Sequence, residues 1–172
     1  NTYERKFYRF DPLLSLTGGP SVLQYNTVEG TVLNVGMQYR QNFDDRRHYE
    51  IEPTIRYGLA NEKLNAKLRL SYTYDPIKRS SVSVEGGRFV DQINSTNPIS
   101  PFANTVYTLL LQRNYLKLYQ RDYARVNYRS EILNGVTILT SLDYSHRMPL
   151  ENTTNYTFRE SSSGGFTSNV PE

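Results

Sequence analysis

An all-β fold, an antiparallel meander forming part of a transmembrane β-barrel with one short helix in a long loop, is what this sequence predicts. Three observations predict it. Apolar and polar residues alternate over stretches of about ten residues. Turn-forming polar residues separate those stretches. Finally, hydrophobic residues make up only 37% of the 172, with 15 Tyr, no Trp and no Cys, and mean hydropathy is -0.63. No window approaches the roughly 18 consecutive apolar residues of a membrane helix, and the most apolar run, Val106 to Leu111, is far too short. A barrel tolerates such a composition, because only every second residue of its strands faces lipid.

The elements follow in order. The charged, aromatic run Tyr3 to Phe10 starts abruptly, as in an internal piece of a longer chain or one that has lost a leader. Phe7, Tyr8 and Phe10 can open a strand, Gly18-Gly19-Pro20 is a breaker, and Val22 to Tyr25 lead into Asn26-Thr27-Val28-Glu29-Gly30. Over 31–40, Leu33, Val35, Met37 and Tyr39 alternate with Asn34, Gly36, Gln38 and Arg40, which is a strand; Asn42 to Arg46 is a turn. The strands 47–59 and 63–74 come next. Tyr49, Ile51, Pro53, Ile55 and Tyr57 alternate with His48, Glu50, Glu52, Thr54 and Arg56; Leu64, Ala66, Leu68, Leu70 and Tyr72 alternate with Asn65, Lys67, Arg69 and Ser71. A turn at Asn61-Glu62 would pair Leu59 with Leu64, Ile55 with Leu68 and Ile51 with Tyr72, apolar against apolar throughout. Pro53 cannot donate to the ladder and predicts a bulge or an open edge there.

Asp75 to Lys78 is a turn. The strand 81–90 contains Gly86-Gly87, which predicts a bulge or a close backbone approach. In the long stretch 91–122, Phe102, Val106, Leu109, Leu110 and Arg113 have helical spacing behind Pro101, giving a helix over 102–114. Strands 123–133 and 136–146 flank Asn134-Gly135, a hairpin signal. From Met148 onward the chain is rich in Asn, Thr, Ser and Gly and reads as a loop, or as a tail ordered by a partner.

Strands of this length suit a membrane, which about 9–11 tilted residues cross, better than a soluble sheet, whose strands usually run about 5 or 6 residues. Tyr39, Tyr49, Tyr57, Tyr72, Tyr74, Tyr128 and Tyr144 near strand ends suit an aromatic girdle. Six such strands cannot close a barrel of about eight or more, so residues 1–172 read as a single partial barrel domain. The expected lipid-facing set is Tyr49, Ile51, Ile55, Tyr57, Leu68, Leu70 and Tyr72. The expected lumen-facing network is His48, Glu50, Glu52, Arg56, Lys67 and Arg69. Parity puts the 60–63 turn, the 91–122 stretch and the tail on one side, outside, and the 41–47, 75–80 and 134–135 turns on the other.

Chemistry-bearing patterns are sparse. His48, Glu50 and Glu52 share a strand face, but alternate residues lie about 7 Å apart, so a charged network is a better reading than a metal site. His146 is solitary, and Gly86-Gly87-Arg88 lacks the strand-to-helix context of a phosphate loop. Arg and Tyr interleave from Arg113 to Arg129, a pattern that suits stacking on a glycan or nucleic acid and equally a segment packed at a barrel mouth. The net charge of +3 is interspersed and calls for no nucleic acid partner. No catalytic residue, cofactor or metal is expected, and the chain is read as no enzyme.

Several separated motifs resemble a known family: Asn26-Thr27-Val28-Glu29-Gly30, Ile55-Arg56-Tyr57-Gly58, Gly86-Gly87-Arg88, Asn97-Pro98-Ile99-Ser100-Pro101, and Arg113-Asn114-Tyr115-Leu116-Lys117-Leu118-Tyr119. Over about residues 22–160 the chain resembles uncharacterised Bacteroidetes-type proteins with an N-terminal carboxypeptidase-regulatory-like domain followed by an outer-membrane barrel region. The resemblance implies an internal barrel segment in the bacterial outer membrane, in contact with lipid and with the rest of a longer barrel chain or other barrel subunits. It implies no mechanism. A transport, assembly or scaffold role is the first expectation. A soluble β-sandwich or lipocalin-like module binding a glycan or small ligand is the alternative.

Overall fold

The structure, a computed structural model, describes residues 6–11, 23–158 and 165–170. Among the described residues eight strands form one sheet: β1 (Lys6–Asp11), β2 (Leu23–Asn26), β3 (Gly30–Asn42), β4 (His48–Gly58), β5 (Lys63–Asp75), β6 (Ser80–Gln92), β7 (Leu118–Leu133) and β8 (Val136–Pro149). One helix, α1 (Pro101–Leu111), interrupts them between β6 and β7. The spatial order is β1-β3-β4-β5-β6-β7-β8, with β2 also on β3; every pairing is antiparallel and, among the described residues, the sheet does not close. The Gly18-Gly19-Pro20 breaker lies outside the described residues.

Alternation locates the strands, and the differences lie at their ends. β7 begins at Leu118, five residues before the expected Tyr123, and β8 continues through Pro149. The β4–β5 register corrects the expected one by two residues: Tyr57 faces Leu64, Ile55 faces Ala66, Ile51 faces Leu70 and Tyr49 faces Tyr72. The turn spans 59–62 rather than Asn61-Glu62 alone, with Glu62 at φ 52. A two-residue offset returns every side chain to the same face, so the apolar pairing survives the change.

Two expected irregularities resolve differently. Opposite Pro53 the β3–β4 ladder stops at Gly36↔Thr54 and resumes at Tyr39↔Ile51 without a change of register. The missing proline N–H opens the ladder locally and no bulge forms. At Gly86-Gly87 the pairing with both neighbours is also unbroken. There the backbones approach closely: Gly87 has φ 142, and a Cβ on it would collide with the Ala66 carbonyl oxygen. The register shifts fall at Thr73/Asp75 and Glu131/Leu133 instead.

One face of the sheet is apolar. Ile51, Leu70, Val84, Val126 and Leu142 make a single cross-strand row from β4 to β8. Nothing among the described residues covers it: Leu70 is 43% exposed and Ile55 52%. The buried apolar cluster lies elsewhere, where Val28, Val90, Leu116, Leu118 and Leu150 meet at the helix-bearing end, with Ile99 against them. Among the described residues, buried polar or charged side chains number 15 and buried hydrophobic ones 9. Buried positions among the described residues are thus more often polar than apolar, and large apolar side chains stand exposed on the uncovered face.

The parity reading holds for the two ends of the sheet. Turns 43–47, 76–79 and 134–135 share one end; turn 59–62, the 93–117 connection and the chain after Pro149 share the other.

Candidate functional site: a charged wall and its polar cap

The face opposite the apolar one carries a lattice of charge. Glu52, Arg69, Glu85, Arg125 and Asp143 occupy one cross-strand row. Gln38 Nε2 donates to Glu52 at 3.0 Å, and Arg69 lies 3.7 Å from the same carboxylate. Lys67 stands 4.0 Å from Glu85, which also accepts the Tyr123 hydroxyl, and Arg125 pairs with Asp143 at 2.6 Å. One row along, Glu50 pairs with Arg40 at 3.2 Å and accepts from Ser71 Oγ at 3.3 Å. His48 Nε2 contacts Thr73 Oγ1 at 3.2 Å.

His48, Glu50 and Glu52 therefore do not converge. Each turns to its own cross-strand partner, and among the described residues no three metal-ligating side chains come together. Glu52 is directly opposite Arg69, not diagonal to it as the expected register had it. The interleaved Arg and Tyr of 113–129 are divided between the connection and β7, where Arg121 pairs with Asp91 at 3.0 Å. Most of these pairs are part-exposed, and such pairs contribute roughly 0–1 kcal/mol each. The wall is a part-exposed, sign-alternating surface more than a source of stability.

Arg56 leaves this lattice. Its guanidinium forks onto Glu29, with Nε donating at 2.8 Å to Oε1 and Nη2 donating to Oε2, and Nη1 reaches Gln24 at 3.4 Å. The two side chains are 7% and 0% exposed. Glu29 arrives from the β2–β3 turn, which folds over the charged face at Gly58; a Cβ there would lie 2.8 Å from that of Glu29. Asn26 shapes the turn by accepting the Val28 and Glu29 amides at 2.9 and 2.8 Å, a side-chain turn of the kind Asn favours. It also donates to Glu29 Oε2 at 3.0 Å. Flanking Arg56 in the same row, Asn34 Oδ1 and both amide atoms of Asn65 are buried without a hydrogen-bond partner.

Other segments lock onto that turn. Thr27 Oγ1 donates to Asn152 at 2.6 Å and accepts from Asn114 at 2.7 Å, while the Thr27 carbonyl accepts the Thr153 amide at 2.8 Å. Asn169 accepts the Leu118 amide at 2.8 Å and donates to the Leu118 and Leu150 carbonyls. Residues 150–158 are thus a loop held against the chain itself, the first of the two readings of this stretch. Burial pushes the Lys117 amine below its ordinary value, and it donates to Thr167 Oγ1 at 2.8 Å. A recess of about 640 Å3 opens in the cap between turn 59–62 and residues 149–153, with Lys63 and Glu151 on its lining.

α1 joins the cap with its polar side. Ser100 caps it, accepting from Ala103 N, and Pro101 opens its first turn. Asn104 and Thr108, one turn apart, are fully buried, whereas Phe102, Val106 and Leu110 are 54%, 39% and 49% exposed. Asn104 Oδ1 accepts the Tyr115 and Leu116 amides at 3.0 Å each, and its Nδ2 donates to Asn114 at 3.0 Å. The apolar spacing located the helix, which stops at Leu111 with Gln112 in the left-handed region rather than running to the expected 114, but that spacing points away from its packed side.

Tyr49, Ile51, Ile55, Tyr57, Leu68, Leu70 and Tyr72 all lie on the uncovered apolar face. Aromatic rings gather at its turn-bearing end. Tyr39 and Phe43 lie 5.9 and 6.0 Å from Tyr49, and the Tyr74 hydroxyl donates to that of Tyr128 at 3.1 Å. The cap residues Asn26, Glu29, Asn104, Asn114 and Asn169 were not expected as a unit. Only the ordered motifs around 26–30 and 113–119 hinted at them.

No curated protein and no solved structure matches the chain. The model of one family, described as the C-terminal domain of a family of unknown function, DUF5686, matches residues 1–172. A chain matched along its whole length belongs to that family, and this wall and cap are part of a DUF5686 C-terminal domain.

Proposed function

We propose that this chain is a section of the wall of an outer-membrane β-barrel in a bacterial cell, with a non-enzymatic transport, assembly or scaffold role. The apolar face meets lipid, the charged face lines the lumen, and the cap covers the lumen at its outer mouth. A preceding carboxypeptidase-regulatory-like domain belongs to the same reading, through the resemblance alone. The observation that carries the proposal is the uncovered apolar row across β4 to β8, backed by the charged lattice. A lipocalin-like module would place those apolar side chains in its interior; here the cap closes over the charged face instead.

The chain has no cysteine, which makes a scanning test direct. In cysteine-free full-length protein in cell membranes, Leu68→Cys and Leu70→Cys should react with a lipid-soluble maleimide and resist a water-soluble one. Ser71→Cys and Ser83→Cys should react with the water-soluble reagent. Equal aqueous reactivity at Leu70→Cys and Ser71→Cys, or recovery of the full-length protein as a stable, detergent-free monomer, would sink the reading.

A further inference from the structure

The sheet has two edges, and the edge at β8 is unfinished. β8 is 14 residues long and exposed along nearly all of its length. On the apolar face Leu142 and Tyr144 are 71% and 75% exposed, against 41% for Val126, which faces Leu142 from the next strand in. Proteins that leave an edge open to water shorten it, twist it away, or place lysine and proline along it. β8 has no lysine, and its one proline is its last residue. In hydrocarbon an unpaired edge is excluded outright, because each unbonded peptide group costs several kcal/mol.

Direction restricts what can sit there. Six antiparallel steps lead from β1 to β8, so the two edges run the same way. Joining β8 to β1, of this chain or of a second copy, would make a parallel pair. Pairing β8 with β8 of a second copy needs a twofold axis across the strands, which would send the copy's cap to the opposite membrane surface. Because β2 pairs with β3 beside β1, the sheet is seven strands across from β1 to β8. An antiparallel wall therefore needs an odd number of added strands between the two edges, and one already gives eight across, the smallest closed barrel. Charge adds a chemical requirement. Glu52, Arg69, Glu85, Arg125 and Asp143 alternate in sign strand by strand, so the next position in the row calls for a cation.

Resting on the barrel reading above, we propose that β8 is completed by an antiparallel amphipathic strand from elsewhere in the same polypeptide. That strand carries Lys or Arg opposite Asp143 and apolar residues opposite Leu142 and Tyr144. The matching family model describes a C-terminal domain, so its members carry further chain from which such a strand can come.

The test uses full-length protein in cell membranes, with a benzophenone amino acid in place of Ser145, two residues along β8 from Asp143 on the same face. Adducts are mapped by peptide mass spectrometry. The expected adduct is intramolecular, in an alternating segment outside residues 1–172, with Lys or Arg within two residues of the linked position. An adduct in residues 6–11, in a second copy or in another protein, or no polypeptide adduct, would overturn the proposal. Asp143→Arg should lower the yield severalfold and reversal of the mapped cation to Glu should restore it; failure of that rescue removes the cation requirement. The same amino acid in place of Ile55 separates this proposal from the barrel reading. Lipid adducts at 55 without a strand adduct at 145 leave the barrel standing and remove the edge partner. Absence of lipid adducts at 55 removes the barrel reading; a cation-bearing strand adduct at 145 then still supports the edge partner, and its absence removes both.

Discussion

Glu29 and Arg56 are the pair on which the cap depends. Two charges brought out of water cost more than most attractions return, and a buried pair is tolerable only when every polar atom is met. Here Asn26 and Gln24 meet the atoms that the fork leaves over. Removing one partner strands the other, and such losses run about 3–5 kcal/mol. Glu29→Ala is expected to lower stability by roughly that amount, read as a drop in the urea midpoint of the detergent-solubilised protein and as faster proteolysis within 93–117. Arg56→Lys keeps the charge but loses the two-pronged geometry, so it should fall between wild type and Glu29→Ala. An unchanged midpoint for Glu29→Ala would show that the cap does not hang on this pair. The sequence places Arg56 correctly on the charged face, because period-two alternation assigns faces. It cannot say that a turn 27 residues earlier folds over that position and withdraws Arg56 from the wall.

At the scale of elements, the legible and the illegible separate by the range of the forces that shape them. β3 to β8 were readable because each is a long alternating run whose face is set residue by residue. β1, of 6 residues, was legible only as a strand opening at Phe7, Tyr8 and Phe10, and β2, of 4, is too short to establish a period; both are held by their pairing with β3. α1 was readable as a helix but not in its orientation. Apolar spacing normally marks the packed side, whereas α1 buries Asn104 and Thr108 because its neighbours offer unpaired peptide amides at Tyr115 and Leu116. The usual substitution rule should therefore invert. Asn104→Leu adds an apolar side chain to a buried position, yet it leaves the Tyr115 and Leu116 amides and Asn114 Oδ1 without the partners that Asn104 supplies, at about 1–3 kcal/mol each. Val106→Asn, on the exposed side, should change stability by no more than about 0.5 kcal/mol. Unfolding midpoints and protease sensitivity of the 93–117 connection check the pair. A Val106→Asn loss as large as that of Asn104→Leu would mean that the apolar stripe, not the polar one, docks the helix.

At the scale of the whole molecule, the proposed barrel reading makes an uncovered apolar face and a polar interior two consequences of one solvent arrangement. In water, a face like that of Ile51, Leu70, Val84 and Leu142 would attract any apolar cover available. In a bilayer the same face needs no protein cover, and the polar side must instead enclose its own water or plug. The cost of a charge on the apolar face should then follow depth, a dependence that a soluble core does not show. β5 provides the scale, since it runs from Lys63 to Asp75 with its apolar positions at Leu64, Leu68, Leu70 and Tyr72. Leu68→Arg and Leu70→Arg, near the strand centre, should each cost about 2–4 kcal/mol. Leu64→Arg, at the capped end, should cost about 0–1 kcal/mol. On the opposite face Ser71→Arg should be nearly neutral for folding, because that side is polar and part-exposed and its neighbour Glu50 can accept the charge. Reversible unfolding from lipid vesicles measures all four. A flat profile along β5, with Leu64→Arg as damaging as Leu70→Arg, is what a dry protein core would produce and would count against a lipid-facing wall.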